Sequence, residues 1–293
     1  QPVKEKDLPV ELPEVKKYKP TEKGDSPLAA ISAWVQVACP QCGGAGQRET
    51  DVMPNWAGSN WYYLRYCDPQ NDKELANPKL LKYWMPVDWY NGGMEHTTLH
   101  LLYSRFIYKF LWDIGAVPKS LGPESYKKRT IHGIVLGEGG IKMAKSKGNI
   151  INPEKVAKEY GADTMRVYEM FMGPFGETIP WDQKGVKGAR RFLEKIWKRA
   201  NQNINHQKIK TSLELKKLLQ KTIKKVTEDI DSLKFNTAIS SLMEFSNYWQ
   251  KDKAGLGKKE FKDFLKILSP FAPHIIEELW QKAGFGDLCS IQK

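Results

Sequence analysis

Three lysines, a hydroxyl residue and a glycine are packed into Lys142-Met143-Ala144-Lys145-Ser146-Lys147-Gly148-Asn149. Ammonium groups on flexible stems can follow negative charge as it moves onto a leaving pyrophosphate, and Gly148 lets the backbone turn and come close. The chemistry on offer is stabilisation of charge on a polyphosphate, with Lys145 as first candidate, Lys142 as its partner and Ser146 as a hydrogen bonder in the loop. A solvated basic turn has the same composition, so the flanking elements decide between the two. Downstream, Asn152 as N-cap, Pro153 at N1 and Glu154 in the first turn predict a helix that Gly161 stops. Upstream, Thr130 to Leu136 reads as a short buried strand, followed by the turn Gly137-Glu138-Gly139-Gly140. The lysines therefore sit on a strand-loop-helix hinge.

A second cluster, Gly92-Gly93-Met94-Glu95-His96, comes after a strand expected over Met85 to Tyr90 and opens a helix expected over Met94 to Ile114. Backbone N–H groups and the positive dipole end gather at such a junction, and two glycines permit close approach of a ligand. His96 could instead cap the helix; His100, one turn later, is assigned to packing or to support of His96. The helix carries Leu99, Leu102, Tyr103, Phe106 and Phe110 at the spacing of one face, which predicts a buried stripe. Arg48 to Tyr66, rich in aromatic residues, predicts a strand leading into a helix. With a third strand at Ile131 to Leu136 the order is strand-helix-strand, which implies a parallel sheet with right-handed crossovers and ligands at the carboxyl ends of its strands.

After about Pro174 the pattern is helical throughout. Leu215, Leu219, Ile223, Val226 and Ile230 form one stripe; Ala238, Leu242, Phe245 and Trp249 a second; Phe261, Phe264, Leu265 and Leu268 a third. With Gly188 to Asn201 they describe an antiparallel bundle. The fold class is therefore α/β then all-α. The chain divides into an extended arm at 1–35, an α/β portion at 36–173 and a helical domain at 174–293. A chain of 293 residues accommodates about two such cores. Arg105, Lys109 and Asp113 interrupt the longest apolar stretch, so no membrane span is expected, and no signal peptide is visible. Four cysteines in a chain this long make no disulfide framework, which places the protein in the cytoplasm or an organelle matrix. Cys39-Pro40-Gln41-Cys42 has the shape of half a zinc knuckle, but the sequence has no second pair, so no metal is expected. The net charge of +12 is concentrated: Lys184 to Lys225 holds fourteen Lys or Arg against two Glu. One basic region on a nearly neutral remainder points to a polyanion such as nucleic acid, with Arg190, Arg191, Lys195 and Lys198 as candidate contacts. Wet faces of amphipathic helices would also be basic.

Lys142-Met143-Ala144-Lys145-Ser146 resembles the KMSKS loop of class I aminoacyl-tRNA synthetases, with alanine in place of the first serine. Arg48-Glu49-Thr50-Asp51-Val52-Met53, Ser59 to Tyr66, Tyr83 to Asp88, Gly92 to His96 and Tyr160 to Arg166 are similar, in the same order, to segments of leucyl-tRNA synthetases. The resemblance covers nearly the whole chain. It implies the second half of a Rossmann-like catalytic domain followed by an α-helical anticodon-binding domain. It further implies ATP as substrate with Mg2+, leucine and tRNA(Leu) as partners, and activation of leucine followed by transfer to tRNA. By the same resemblance Gly92, Gly93, Glu95, His96 and Met143 would hold ATP or the adenylate. Trp56, Ser59 and His96 would line the leucine pocket, with Trp56 where phenylalanine is usual.

No His-x-Gly-His motif occurs in the sequence, so an N-terminal half of the nucleotide site, in the same gene product or a separate chain, is expected to be needed for catalysis. A tRNA-binding module without chemistry is the alternative from another class. Valyl and isoleucyl enzymes are the alternatives within class I, and Ser59-Asn60-Trp61-Tyr62-Tyr63 with Lys147-Gly148-Asn149 favour the leucine type.

Overall fold

The computed structural model describes residues 1–14, 24–51, 55–205 and 209–291. Val52 and Met53 of the Arg48 run, part of the N-terminal arm, Lys208 of the basic region and the last two residues lie outside them. Two compact units result: Gln1–Trp89 with Glu95–Lys128, and Tyr90–Met94 with Arg129–Lys293.

In the first unit, α1 (Ser32–Val35) leads into an antiparallel hairpin of β1 (Gln36–Ala38) and β2 (Ala45–Gln47), with Val37 opposite Gly46. A 3-10 turn at Asn55–Ser59 and the four-residue α2 (Tyr62–Arg65) come next. Helix α3 (Pro78–Trp84) has Pro78 in its first turn and is capped by the Asn77 side chain, which accepts from the Lys79 N–H at 2.9 Å. Helix α4 (His100–Asp113) comes after a 3-10 turn at Met94–Thr97. Tyr63, Leu64, Leu81, Met85, Tyr108 and Val117 form the core of this unit.

The structure corrects three expectations in this region. Residues 48–51 form no strand, and the chain from Asn55 to Arg65 makes a 3-10 turn and one helical turn. The Ser59 hydroxyl closes that 3-10 turn by donating to the Trp56 carbonyl at 2.8 Å, so local hydrogen bonding overrides the β-preference of the aromatic residues. The strand placed at Met85 to Tyr90 begins only at Tyr90. Met85 ends α3, Pro86 has no N–H to give a ladder, and Val87 makes a single parallel bridge to Tyr126. The third correction concerns α4. Its buried residues are His100, Leu101, Ser104 and Tyr108, while Leu102, Phe106 and Phe110 of the expected core stripe are 57, 68 and 51% exposed.

In the second unit β3 (Tyr90–Gly93) pairs in parallel with β4 (Arg129–His132), Gly92 opposite Ile131. The strand expected over Thr130 to Leu136 is split. The Gly133 N–H donates to the Phe175 carbonyl at 2.9 Å, and a side chain at Gly133 would run into the Glu177 carbonyl. Beyond this break β5 (Val135–Leu136) pairs in parallel with β6 (Ile179–Pro180). Helices α5 (Pro153–Tyr160) and α6 (Ala162–Phe171) succeed the lysine-rich loop. The bundle comprises α7 (Gln183–Asn205), α8 (Leu213–Asp231), α9 (Phe235–Lys251), α10 (Lys258–Leu268) and α11 (Pro273–Lys282). Its three predicted stripes point inward: Leu215, Leu219, Leu242, Phe245, Trp249, Phe264 and Leu268 are all fully buried. Val156, Val167 and Tyr168, from α5 and α6, belong to the same core, so compactness does not change at Pro174.

Candidate active site

The lysine-rich loop is anchored at both ends. Ala144 is extended, Lys145–Lys147 make one 3-10 turn, and Gly148 takes the left-handed conformation with φ 63° that a side chain disfavours. Asn149 braces this arc: its Oδ1 accepts from the Ala144 N–H at 2.9 Å and its Nδ2 donates to the Lys142 carbonyl at 3.2 Å. Lys142, Lys145 and Ser146 are exposed, Met143 is half-buried, and the three lysines enter no ion pair among the described residues. Asn152 accepts from the Glu154 N–H at 2.8 Å, and α5 ends at Gly161 with φ 93°, as its cap and stop residues predict. Cations held on a short braced arc before a fixed helix suit a phosphate chain that gains charge.

The same unit also holds a cavity. A cavity of about 230 Å³ opens at the break between the carboxyl end of β4 and the amino end of β5, lined by His132, Gly133, Glu169, Met172 and Phe175 among others. Burial raises the Glu169 carboxyl above its ordinary pKa, with Arg166 opposing. Strand β3 ends at the glycine pair, and at Gly92 a side chain would meet open space, so backbone is presented there without obstruction. The Gly93 carbonyl accepts from Arg129 at 3.4 Å.

In the first unit the structure brings Trp56, Ser59 and His96 together. The Trp56 and His96 rings meet edge to face, centroids 4.9 Å apart. The Ser59 Oγ donates to the Trp56 carbonyl and lies 2.8 Å from His100 Nδ1, so the His100 N–H donates to Ser59. Burial, with His96 as a lesser cause, lowers the His100 pKa and favours the neutral ring. His96 Nδ1 is buried without a hydrogen-bond partner among the described residues, and Glu95 is exposed. His100 thus fixes the turn that carries Trp56, a role sequence reasoning left between packing and support; the spacing of four from His96 was the available signal.

Arg191, Lys195 and Lys198 stand exposed on one face of α7 at spacings of four and three, in no ion pair among the described residues. Arg190 is turned to other work, donating to Glu194 Oε1 at 2.7 Å and to the Tyr160 carbonyl at 2.9 Å. On α8, by contrast, Lys216, Lys224 and Lys225 are engaged with Glu260, Glu228 and Asp229. Sequence reasoning missed Asp163. From α6 it accepts from His274 Nδ1 at 2.7 Å and from the Ile275 N–H at 2.7 Å, capping α11 across 112 positions of chain.

Cys39 and Cys42 sit in the β1–β2 turn, where the Gly43 N–H donates to the Cys39 carbonyl at 2.9 Å. The Cys42 N–H lowers the Cys39 thiol pKa. Among the described residues no group of three or more His, Cys, Asp or Glu is placed to hold a metal ion, and no helix is long and apolar enough to cross a membrane.

Residues 21–182 match the family described as tRNA synthetases class I (I, L, M and V), and residues 213–293 match the anticodon-binding domain of tRNA ligase. A leucine–tRNA ligase of Alkaliphilus oremlandii is 56% identical over 97% of this chain, which spans 35% of that relative's length. Among solved structures, the ternary complex of Agrobacterium radiobacter K84 LeuRS with tRNA and LeuAMS is similar over the whole chain and 39% of its own length, at TM-score 0.78 and 33% identity. A methionyl-tRNA synthetase of Mycobacterium tuberculosis shares the fold over 84% of this chain and 53% of its own, at TM-score 0.55 and 16% identity.

Proposed function

Because the chain belongs to the class I tRNA synthetases of the I, L, M and V group, we propose that it is the part of a leucyl-tRNA synthetase that carries the KMSKS-type loop and the anticodon-binding bundle. In the first step the leucine carboxylate oxygen attacks the α-phosphorus of ATP, presented with Mg2+ as its substrate complex, and pyrophosphate leaves. Lys145 and Lys142 neutralise the charge that grows on the departing phosphates, and the Ser146 hydroxyl and Met143 backbone hold the loop against the nucleotide. Gly92, Gly93 and Glu95 take the adenosine side. Trp56, Ser59 and His96 enclose the leucine side chain, and the wider tryptophan narrows that pocket. In the second step a ribose hydroxyl of tRNA(Leu) attacks the adenylate carbonyl and AMP leaves. Arg191, Lys195 and Lys198, joined by Arg190, meet tRNA phosphates. The remainder of the enzyme supplies the other half of the nucleotide site, the cytoplasm is the setting, and zinc at Cys39 and Cys42 is not required.

The observation that carries this proposal is the loop itself: lysines exposed, and without an ion pair among the described residues, on an arc that Asn149 braces from both sides. Leucine-dependent ATP–pyrophosphate exchange tests it. The chain alone should give none, and addition of the portion of the Alkaliphilus oremlandii relative outside the matched region should restore it. A complex that binds tRNA but never supports exchange would instead assign the chain as a tRNA-binding module without chemistry.

A further inference from the structure

A second cavity of the bundle unit, about 420 Å³, opens where the first turns of α6 and α11 meet the middle of α7. None of the steps above uses it. Ala162, Leu193, Trp197 and Ile275 give it apolar walls, and its size and apolar lining suit one small ring system. The half-buried Trp197 ring is steadied by Lys282, whose Nζ lies 4.5 Å from the ring centroid. The charged groups at the cavity are taken up in pairs: Arg190 donates to Glu194 at 2.7 Å, and Asp163 accepts from His274 Nδ1 at 2.7 Å. The cavity therefore offers an aromatic wall and no unpaired cation, which selects an occupant that is planar and neutral. On α7, at about 100° per residue, Arg190, Leu193, Glu194 and Trp197 cover about 100° of the circumference. Lys198, Arg191 and Lys195 begin about 40° farther round the same helix, so a polyanion held on that face runs alongside the cavity.

We propose that this cavity receives one unpaired base of the RNA held on α7, stacked against Trp197. The inference rests on the tRNA contact proposed above for that helix. A phosphate would need a free cation, and the cavity has none; a base is neutral, flat and polar only at its edge. A base inside a duplex shows no open ring face, so only a single-stranded nucleotide fits. RNA is favoured over the aromatic side chain of a partner protein by the adjoining cations, Arg191, Lys195 and Lys198, which are exposed and in no ion pair among the described residues. The α7 contact then has two parts. Phosphate neutralisation weakens with salt, whereas stacking on Trp197 does not.

The test titrates the 293-residue chain with a tRNA(Leu) transcript and with a fully paired RNA duplex of similar length, over a range of salt, by fluorescence anisotropy. The wild-type chain should prefer the transcript. Trp197→Leu keeps an apolar side chain and removes the ring face; it should weaken the transcript complex about tenfold, with the log–log salt slope and the duplex affinity unchanged. Trp197→Tyr should retain most of the affinity. Ala162→Phe fills the cavity from an exposed position on α6 and should reproduce the loss, with circular dichroism confirming that each variant is folded. Equal losses for transcript and duplex would make Trp197 a structural residue and overturn the base site. Transcript affinity unchanged in Trp197→Leu or in Ala162→Phe would overturn it too. So would a wild-type chain that binds duplex as tightly as transcript, the result expected if the cavity serves a protein's side chain. Leucine-dependent exchange in the complemented enzyme, a step in which RNA takes no part, separates the two proposals. A base site without exchange removes the catalytic function and leaves the cavity's role, whereas exchange in an enzyme whose tRNA affinity ignores Trp197 removes the base site alone.

Discussion

Helices α4 and α9 carry stripes of similar composition and meet opposite fates. Ala238, Leu242, Phe245 and Trp249 of α9 are all fully buried, with Trp249 against Phe264 at 5.3 Å between ring centroids. Leu102, Phe106 and Phe110 of α4 are mostly exposed. Periodicity identifies a face that water disfavours, and only the rest of the fold says what covers it. The contrast predicts unequal mutational costs. Trp249→Ala should cost the bundle about 3–5 kcal/mol, read by denaturant titration. Phe106→Ala in the same chain should stay within about 0.5 kcal/mol, and equal losses at the two sites would break the comparison.

Lysines divide in the same manner. Those of the loop and the α7 face enter no ion pair among the described residues, whereas Lys216, Lys224 and Lys225 of α8 are held by carboxylates. In the assembled enzyme Lys145→Ala should lower kcat for adenylation about 10²- to 10³-fold, with a smaller change in KM for ATP. Reversal of Arg191, Lys195 and Lys198 to glutamate should weaken tRNA binding about tenfold or more. The same reversal should flatten the log–log salt slope by about 2 to 3. Lys224→Glu should leave that slope as it was; if it flattens equally, the ion pairs of α8 do not withdraw its lysines from RNA.

The smallest effect concerns Glu124. The Arg105 hydrogen bond, then that of Lys109, pulls its carboxyl from an ordinary 4.5 to about 2, against burial. A depressed carboxylate contributes stability above its unfolded pKa and loses it as pH falls through the folded one, so the first unit should weaken between pH 4.5 and about 2. The pair is nearly half exposed, so the loss should be at most about 1 kcal/mol. Glu124→Gln should abolish that part of the pH dependence and leave the melting of the second unit unchanged.

The features legible in the sequence are short in range. The Asn152 cap, the stop at Gly161, the Gly148 turn and the stripes of α8, α9 and α10 each rest on residues within a few turns of one another, and each is present. The misplaced features depend on distant partners. Gly133 splits a strand because Glu177 lies against it, and the exposed side of α4 depends on packing rather than on spacing. At the site, the bracing by Asn149 lay inside a motif noticed for its lysines. The bond between Ser59 and His100 joins residues 41 positions apart, and no periodicity announces it.

The Asp163 cap on α11 bears on where this protein can be cut. An excised bundle beginning at Pro174 would lose both carboxylate oxygens that receive the first N–H groups of α11, and would bare the surface that Val167 and Tyr168 cover. For grafting, the loop, its two helices and the bundle travel together, and a cut ahead of Arg129 must be mended by a strand that replaces β3 beside β4.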